Sequence, residues 1–236
     1  DYINNRAGVD SVLRARANEC APFENVYTLA LRGLHDRAMN ASNNMSDRKQ
    51  MLQDALMAQR KMLIDATGKR GEDIPQAFTP YKEVLDVYDE GLELPDDVTI
   101  IWPDDNYGYM KRLSSPKEQK RSGRSGVYYH SSYLGKPHDH LWMNTTSPTL
   151  MYEELRKAYD MTADRIWLLN AGDIKACEFA VDFFLSMAYD IDSFNFDRAA
   201  AYRTEWLCGM LGDEYRNEYQ DVLNSFYKLA FARRPE

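Results

Sequence analysis

The run Val98-Thr99-Ile100-Ile101-Trp102 constrains the fold more than any other stretch of the chain. Its residues are β-branched or aromatic and Asp and Pro punctuation bounds it on both sides, so it reads as a strand. The triplet Asp104-Asp105-Asn106 follows, then a basic loop containing Gly and Ser, then a second strand in GVYYHSSY over 126–133. Two β-runs that each end in polar, chemistry-capable side chains are what a parallel-sheet enzyme needs. Loops at the carboxyl ends of parallel strands converge on one rim.

The rest of the chain repeats this pattern. Residues 1–20 read as a helix closed by the turn at Ala21-Pro22, and Val26 to Leu31 as a strand buried on both faces. Ser46 to Thr67 carries Met51, Leu52, Ala55, Leu56, Met62 and Leu63 at helical spacing. QAFTPYKEV then predicts a short strand ending at Lys82-Glu83, and VLDVYDEGL a short helix stopped by Gly91 and Pro95. TLMYEELRKAYDM is a helix with Glu153, Arg156 and Lys157 on its wet side, RIWLLNAGD a strand, and CEFAVDFFLSMAYD a helix. The alternation has connections long enough for right-handed crossovers, which is parallel α/β architecture. From about Ser193 onward only helical patterns remain.

The five predicted strands exit through Arg32-Gly33-Leu34-His35-Asp36, Lys82-Glu83, Asp104-Asp105-Asn106, His130-Ser131-Ser132-Tyr133 and Asn170-Ala171-Gly172-Asp173. Every exit carries residues that hydrogen-bond or titrate. A doubly wound sheet concentrates function at one or two switch-point loops, whereas a (β/α)8 barrel draws on most strands. The expected fold is therefore α/β: a partial (β/α)8 TIM barrel of about five strands followed by an all-helical segment. Residues 1–192 would form the C-terminal part of the barrel, with three strands upstream of residue 1, and 193–236 the start of a helical domain.

Charge narrows the function. A net charge of −8 argues against a nucleic-acid binder, whose affinity would come from a basic surface. No run of about 18 apolar residues exists to span a membrane. The first residues carry neither an initiator Met nor a signal peptide, and a chain beginning in mid-helix reads as a piece of a longer one. Cys20, Cys177 and Cys208 have no metal spacing and read as buried small hydrophobes.

The exits hold the candidate chemistry. All four histidines, His35, His130, His138 and His140, fall in or just after them. Asp36, Glu83, Asp104 and Asp173 lie on different strand ends, as acid/base work across a substrate requires. A zinc site from His35, Asp36, His130 and Asp104 is conceivable, although no helical His-x-x-x-His pair or Cys-x-x-Cys supports it. One of Asp104 and Asp105 is expected simply to cap the following turn. Tyr81, Trp102, Tyr107, Tyr109, Tyr129, Tyr133 and Trp142 offer rings for pyranose faces. Alternation sends Trp102 and Tyr128 toward the core, and Trp167 is expected there too. Arg32, one residue past an apolar strand, could clamp a substrate carboxylate.

The segments TLALRGLHDRAM, YKEV, DDVTIIWPDDNYGYMKRL, RSGRSGVYYHSSYLGKPHDHLW and RIWLLNAGDIK resemble glycoside hydrolase family 115, the xylan α-glucuronidases. The resemblance spans most of residues 1–192 and implies a multidomain enzyme built around a (β/α)8 barrel. It would release glucuronic acid, or its 4-O-methyl ether, from α-1,2 linkages on xylan or glucuronoxylan oligosaccharides, with inversion and no cofactor. By the same resemblance Glu83 is the leading catalytic carboxylate and Asp36 its partner, while Arg32, His35, Asp104, Asn106, His130 and Tyr133 bind the uronic acid. The family pattern has Gly-Asp-Glu where this chain has His35-Asp36-Arg37, so the role of Asp36 follows less directly. A polymeric substrate implies secretion or a periplasmic location, and a homodimer is compatible. A metal-dependent barrel hydrolase and a carbohydrate-binding relative without catalysis stay open as alternatives.

Overall fold

The computed structural model describes residues 2–33, 37–39, 44–133 and 144–232. Five strands, β1 (Tyr27–Thr28), β2 (Gln76–Phe78), β3 (Thr99–Pro103), β4 (Ser125–His130) and β5 (Trp167–Asn170), hydrogen-bond in sequence order in one sheet. β1 with β2, β2 with β3, and β4 with β5 are parallel. Between β3 and β4 the Ile100 N–H donates to Arg124 O and the Asp104 N–H to Tyr128 O, the same offset twice, which is a parallel register. Unshuffled parallel strands are the order of a (β/α)8 barrel, not of a doubly wound sheet. The fold is the expected α/β partial barrel with helices behind it, and no strand follows Asn170 among the described residues.

Two compact units make up the chain, Asp1–Ile101 with Pro116–Ser125, and Trp102–Ser115 with Gly126–Glu236. In the first, α1 (Arg6–Cys20) packs on α2 (Met45–Thr67). Asn5 caps α1 by accepting the Gly8 N–H at 3.0 Å, and Asn44 caps α2 by accepting the Ser46 N–H at 2.8 Å. Gly68 ends α2 in the left-handed conformation, φ 66°. Leu52, Ala55, Leu56, Met62 and Leu63 form the buried stripe of α2. Leu29, Phe78, Ile100 and Ile101 are buried in the same unit. Full burial stabilises each such side chain by roughly 1.5–3 kcal/mol. Arg60 grips Asp97 through two hydrogen bonds of 2.8 and 3.0 Å.

β1 departs from the expectation of a longer strand buried on both faces. It is two residues long and leaves Val26 and Thr28 exposed while Leu29 is buried. Alternation of this kind is what a strand with one covered face shows.

The second unit contains α4 (Pro148–Asp160), α5 (Glu178–Tyr189), α6 (Phe196–Leu211) and α7 (Arg216–Ala232). Pro148 opens α4 where a missing N–H costs nothing. The core is aromatic: Tyr129 stacks on Phe184, and Phe183 meets Phe194 and Tyr202 edge-on. Trp167 is only partly buried against this core, its indole N–H donating to Ala163 O at 2.6 Å. Cys177 and Cys208 are buried free thiols, and Cys20 is half-buried.

Burial pushes the Tyr227 phenol on α7 from its ordinary 10.0 up to about 12, with Arg203 pulling the other way. A raised folded-state value means that the stability contributed by the neutral phenol is complete below pH 10.0 and is lost as pH climbs to about 12. Tyr227→Phe should therefore flatten the alkaline loss of stability, read from denaturant midpoints across that window. Equal slopes for the two proteins would contradict this assignment.

Candidate active site

The first unit carries one cluster. From β2 the chain turns through Thr79, Pro80, Tyr81 and Lys82 into α3 (Glu83–Asp89). Lys82 sits at φ 52°, a conformation that costs a side-chain-bearing residue roughly 1–3 kcal/mol and survives only where its surroundings enforce it. The turn makes Glu83 the first residue of a helix and not, as expected, the end of a strand.

Glu83 meets Arg32 across 51 residues of sequence. Arg32 Nε donates to Oε1 at 3.3 Å and Nη2 to Oε2 at 3.2 Å, and the Met39 N–H donates to Oε1 at 3.3 Å. Both charged side chains are 19% exposed. Both carboxyl oxygens of Glu83 therefore serve as hydrogen-bond acceptors. The Arg32 guanidinium lies 5.4 Å and the Lys82 ammonium 5.0 Å from the centre of the Tyr81 ring. A carboxylate ligand arriving at Arg32 would share it with Glu83.

The second cluster belongs to the other unit and centres on Asp104, 2% exposed at the end of β3. Its Oδ1 accepts from the Asn106 N–H at 3.0 Å and from His130 Nδ1 at 2.5 Å. Its Oδ2 accepts from the His130 N–H at 3.1 Å and the Gly108 N–H at 3.2 Å. Asp104 is thus both a turn cap and a clip onto the end of β4. Four donors match the lone-pair capacity of a carboxylate, so Asp104 acts by positioning. Since a carboxylate only accepts, the His130 proton sits on Nδ1 and fixes both ring orientation and tautomer.

Asp105 caps the same loop, Oδ1 accepting from Tyr107 N–H at 2.8 Å and Tyr109 N–H at 3.1 Å. The expectation that one of the aspartates caps is met by both. Asn106 and Gly108 take left-handed conformations, φ 75° and 96°. A Cβ at Gly108 would lie 2.7 Å from Tyr129 Oη, whose hydroxyl donates to Gly108 O at 3.0 Å. Gly108→Ala should cost about 1–3 kcal/mol, measurable by thermal denaturation. An unchanged midpoint would show that the loop can take another shape.

Rings surround the imidazole. Tyr128 lies 4.6 Å and Tyr133 5.7 Å from it, centre to centre, and Tyr107 meets Tyr133 edge-on at 6.1 Å. Asn170 Nδ2 donates to Tyr128 Oη at 2.6 Å. Asn170 O accepts from the Ser131 N–H and hydroxyl at 2.9 and 3.0 Å, tying the ends of β4 and β5.

The parity of β4 differs from the expected one. Tyr129 is fully buried in the core, while Tyr128 shares the His130 face. Trp102 is buried as expected, its indole N–H donating to Ser114 Oγ at 2.9 Å. Two contributors lie outside the candidate site residues read from the sequence. Asn170 orients Tyr128, and Glu154, 5% exposed on α4, accepts the Met110 N–H at 2.8 Å and so anchors the loop. Glu154 does carry a signal, Lys157 one turn later, which donates to it at 2.7 Å.

Asp173 is exposed. His35, Asp36, His138, His140 and Trp142 lie outside the described residues. Among the described residues no group of three or more His, Cys, Asp or Glu could hold a metal ion, and no helix is long and apolar enough to cross a membrane.

Comparison with known proteins adds a family. The family model described as glycosyl hydrolase family 115 matches residues 1–236. Among solved structures, the chain is similar to BtGH115A, described as a family GH115 4-O-methyl-α-glucuronidase with specificity for decorated arabinogalactans. The two share 41% identity with a TM-score of 0.94 over 100% of this chain. The match takes in 31% of the BtGH115A chain, so this chain spans about a third of that relative's length. A search of curated proteins gives no match.

Proposed function

The chain belongs to glycosyl hydrolase family 115, and from that premise we propose that the protein is an α-glucuronidase releasing glucuronic acid or 4-O-methylglucuronic acid from α-1,2-substituted xylan by inversion. The observation that carries the proposal is the carboxylate Glu83, presented at the start of α3 and held as an acceptor by Arg32 and the Met39 N–H. Glu83 activates water as general base, and Asp36 protonates the leaving oxygen, through an oxocarbenium-like transition state. Arg32 and His35 bind the uronate. In the second cluster His130, oriented by Asp104, serves sugar hydroxyls together with Asn106, and Tyr133 offers a ring to the sugar face. A polymeric substrate places the protein outside the cytoplasm, secreted or periplasmic.

A second reading concerns the polymer. BtGH115A is described as specific for decorated arabinogalactans, which makes arabinogalactan side chains the rival substrate. The intact protein should be incubated with glucuronoxylan and with a decorated arabinogalactan, and the released uronic acid followed by proton NMR. Release from glucuronoxylan with the β-anomer appearing first is expected. First appearance of the α-anomer would overturn inversion, release from arabinogalactan alone would move the polymer assignment, and no release from either would overturn the activity.

A further inference from the structure

We propose that the open pocket lined by α5, α6 and α7 is a second small-molecule site, which takes a planar carboxylate on an apolar ring and binds it through Arg203. It shares no residue with the Glu83 or Asp104 clusters. The cavity measures about 270 Å³, and its walls include Phe179, Trp206, Phe226 and Tyr227, with Arg203 and Asn144 as polar members. That is room for one ring-sized ligand between aromatic faces.

Arg203 is the reason to expect an anion. Its Nη2 donates to Asn224 Oδ1, and its guanidinium lies 5.3 Å from the centre of the Tyr227 ring. Nε is buried without an acceptor among the described residues, and none of their carboxylates lies within ion-pair distance. Arg32, Arg60 and Arg121, also largely buried, are each paired, with Glu83, Asp97 and Asp96. Burial pushes the Arg203 pKa down, with only Tyr227 opposing it. A guanidinium keeps its charge under such pressure, so the desolvation cost stands until a counter-ion offsets it.

Asn144, 8% exposed, adds in the same wall a second polar atom, Oδ1, with no partner among the described residues. The remaining surface decides between classes of acid. A sugar acid would bring several hydroxyls away from water to ring and aliphatic walls that offer few partners. An aromatic acid loses nothing there, stacks on the rings, and presents its carboxylate to the guanidinium.

The probe is cinnamate, titrated into the intact protein while tryptophan fluorescence, to which Trp206 contributes, is followed. Saturable binding is expected, at least about tenfold weaker for neutral cinnamamide and for Arg203→Met, as loss of a hydrogen bond to a charged group implies. Excess D-glucuronate should not displace it. The cinnamamide arm reads the charge on the unaltered protein, so the test survives a variant that fails to fold. No saturable binding, equal affinity for acid and amide, or displacement by glucuronate would overturn the proposal.

Discussion

Glu83→Gln should reduce uronic acid release by about 10²–10⁴-fold, the range for loss of one general acid or base, without weakening substrate binding. The amide matches the carboxylate in volume but cannot activate water. Its NH2 also turns a donor toward Arg32, which now donates to both carboxylate oxygens. The ion pair is therefore lost, and Arg32 becomes more available to the uronate. The expected pattern is a collapsed kcat with KM unchanged or lowered. That separates a catalytic role from a structural one, because mere loosening of α3 would raise KM as well. Unchanged kcat would remove Glu83 from the mechanism.

Asp104→Asn should act on the other cluster, and on stability as well as turnover. Each carboxylate oxygen receives two donors. An amide NH2 at the Oδ2 position would face two backbone N–H groups, those of Gly108 and His130, so it will take the Oδ1 position. There it meets the Asn106 N–H and His130 Nδ1. The ring can respond by moving its proton to Nε2 and accepting at Nδ1, whereas the Asn106 N–H loses its acceptor on residue 104. The cost is about 1–3 kcal/mol for that group, seen as a lower denaturation midpoint. Nitrogen-15 NMR of the imidazole should show the opposite tautomer. A proton still on Nδ1 in the variant would mean that the Asp104 carboxylate does not set it.

The sequence made the β/α alternation and the strand-end position of these clusters legible, because helical and strand periodicities are local. Tyr128 and Tyr129 mark where that stops. Period 2 separates two faces of a strand but does not say which face meets the helices, and the core built by Phe184 decides it. The Arg32–Glu83 pair and the Asp104–His130 clip join residues far apart in sequence. No local pattern encodes such a pairing. The role of Glu154 stays hidden in the sequence because its partner, the Met110 N–H, belongs to a loop with no periodicity. The sequence pattern puts Glu83 at a strand end and the structure at a helix start, because the turn at Lys82 takes a backbone conformation that its side chain does not advertise.

The loop after β3 is held through the backbone N–H groups of residues 106, 107, 108 and 109, all drawn to the two aspartates. Any residue except proline supplies such a donor. At 109 the hold on the loop runs through the backbone, while Tyr107 also packs edge-on against Tyr133 and Gly108 and Asn106 answer to their φ angles. Selection could exchange the exposed Tyr109 and leave the scaffold that orients His130 intact. The loop's freedom to change therefore lies at position 109, where the backbone and not the side chain holds the turn.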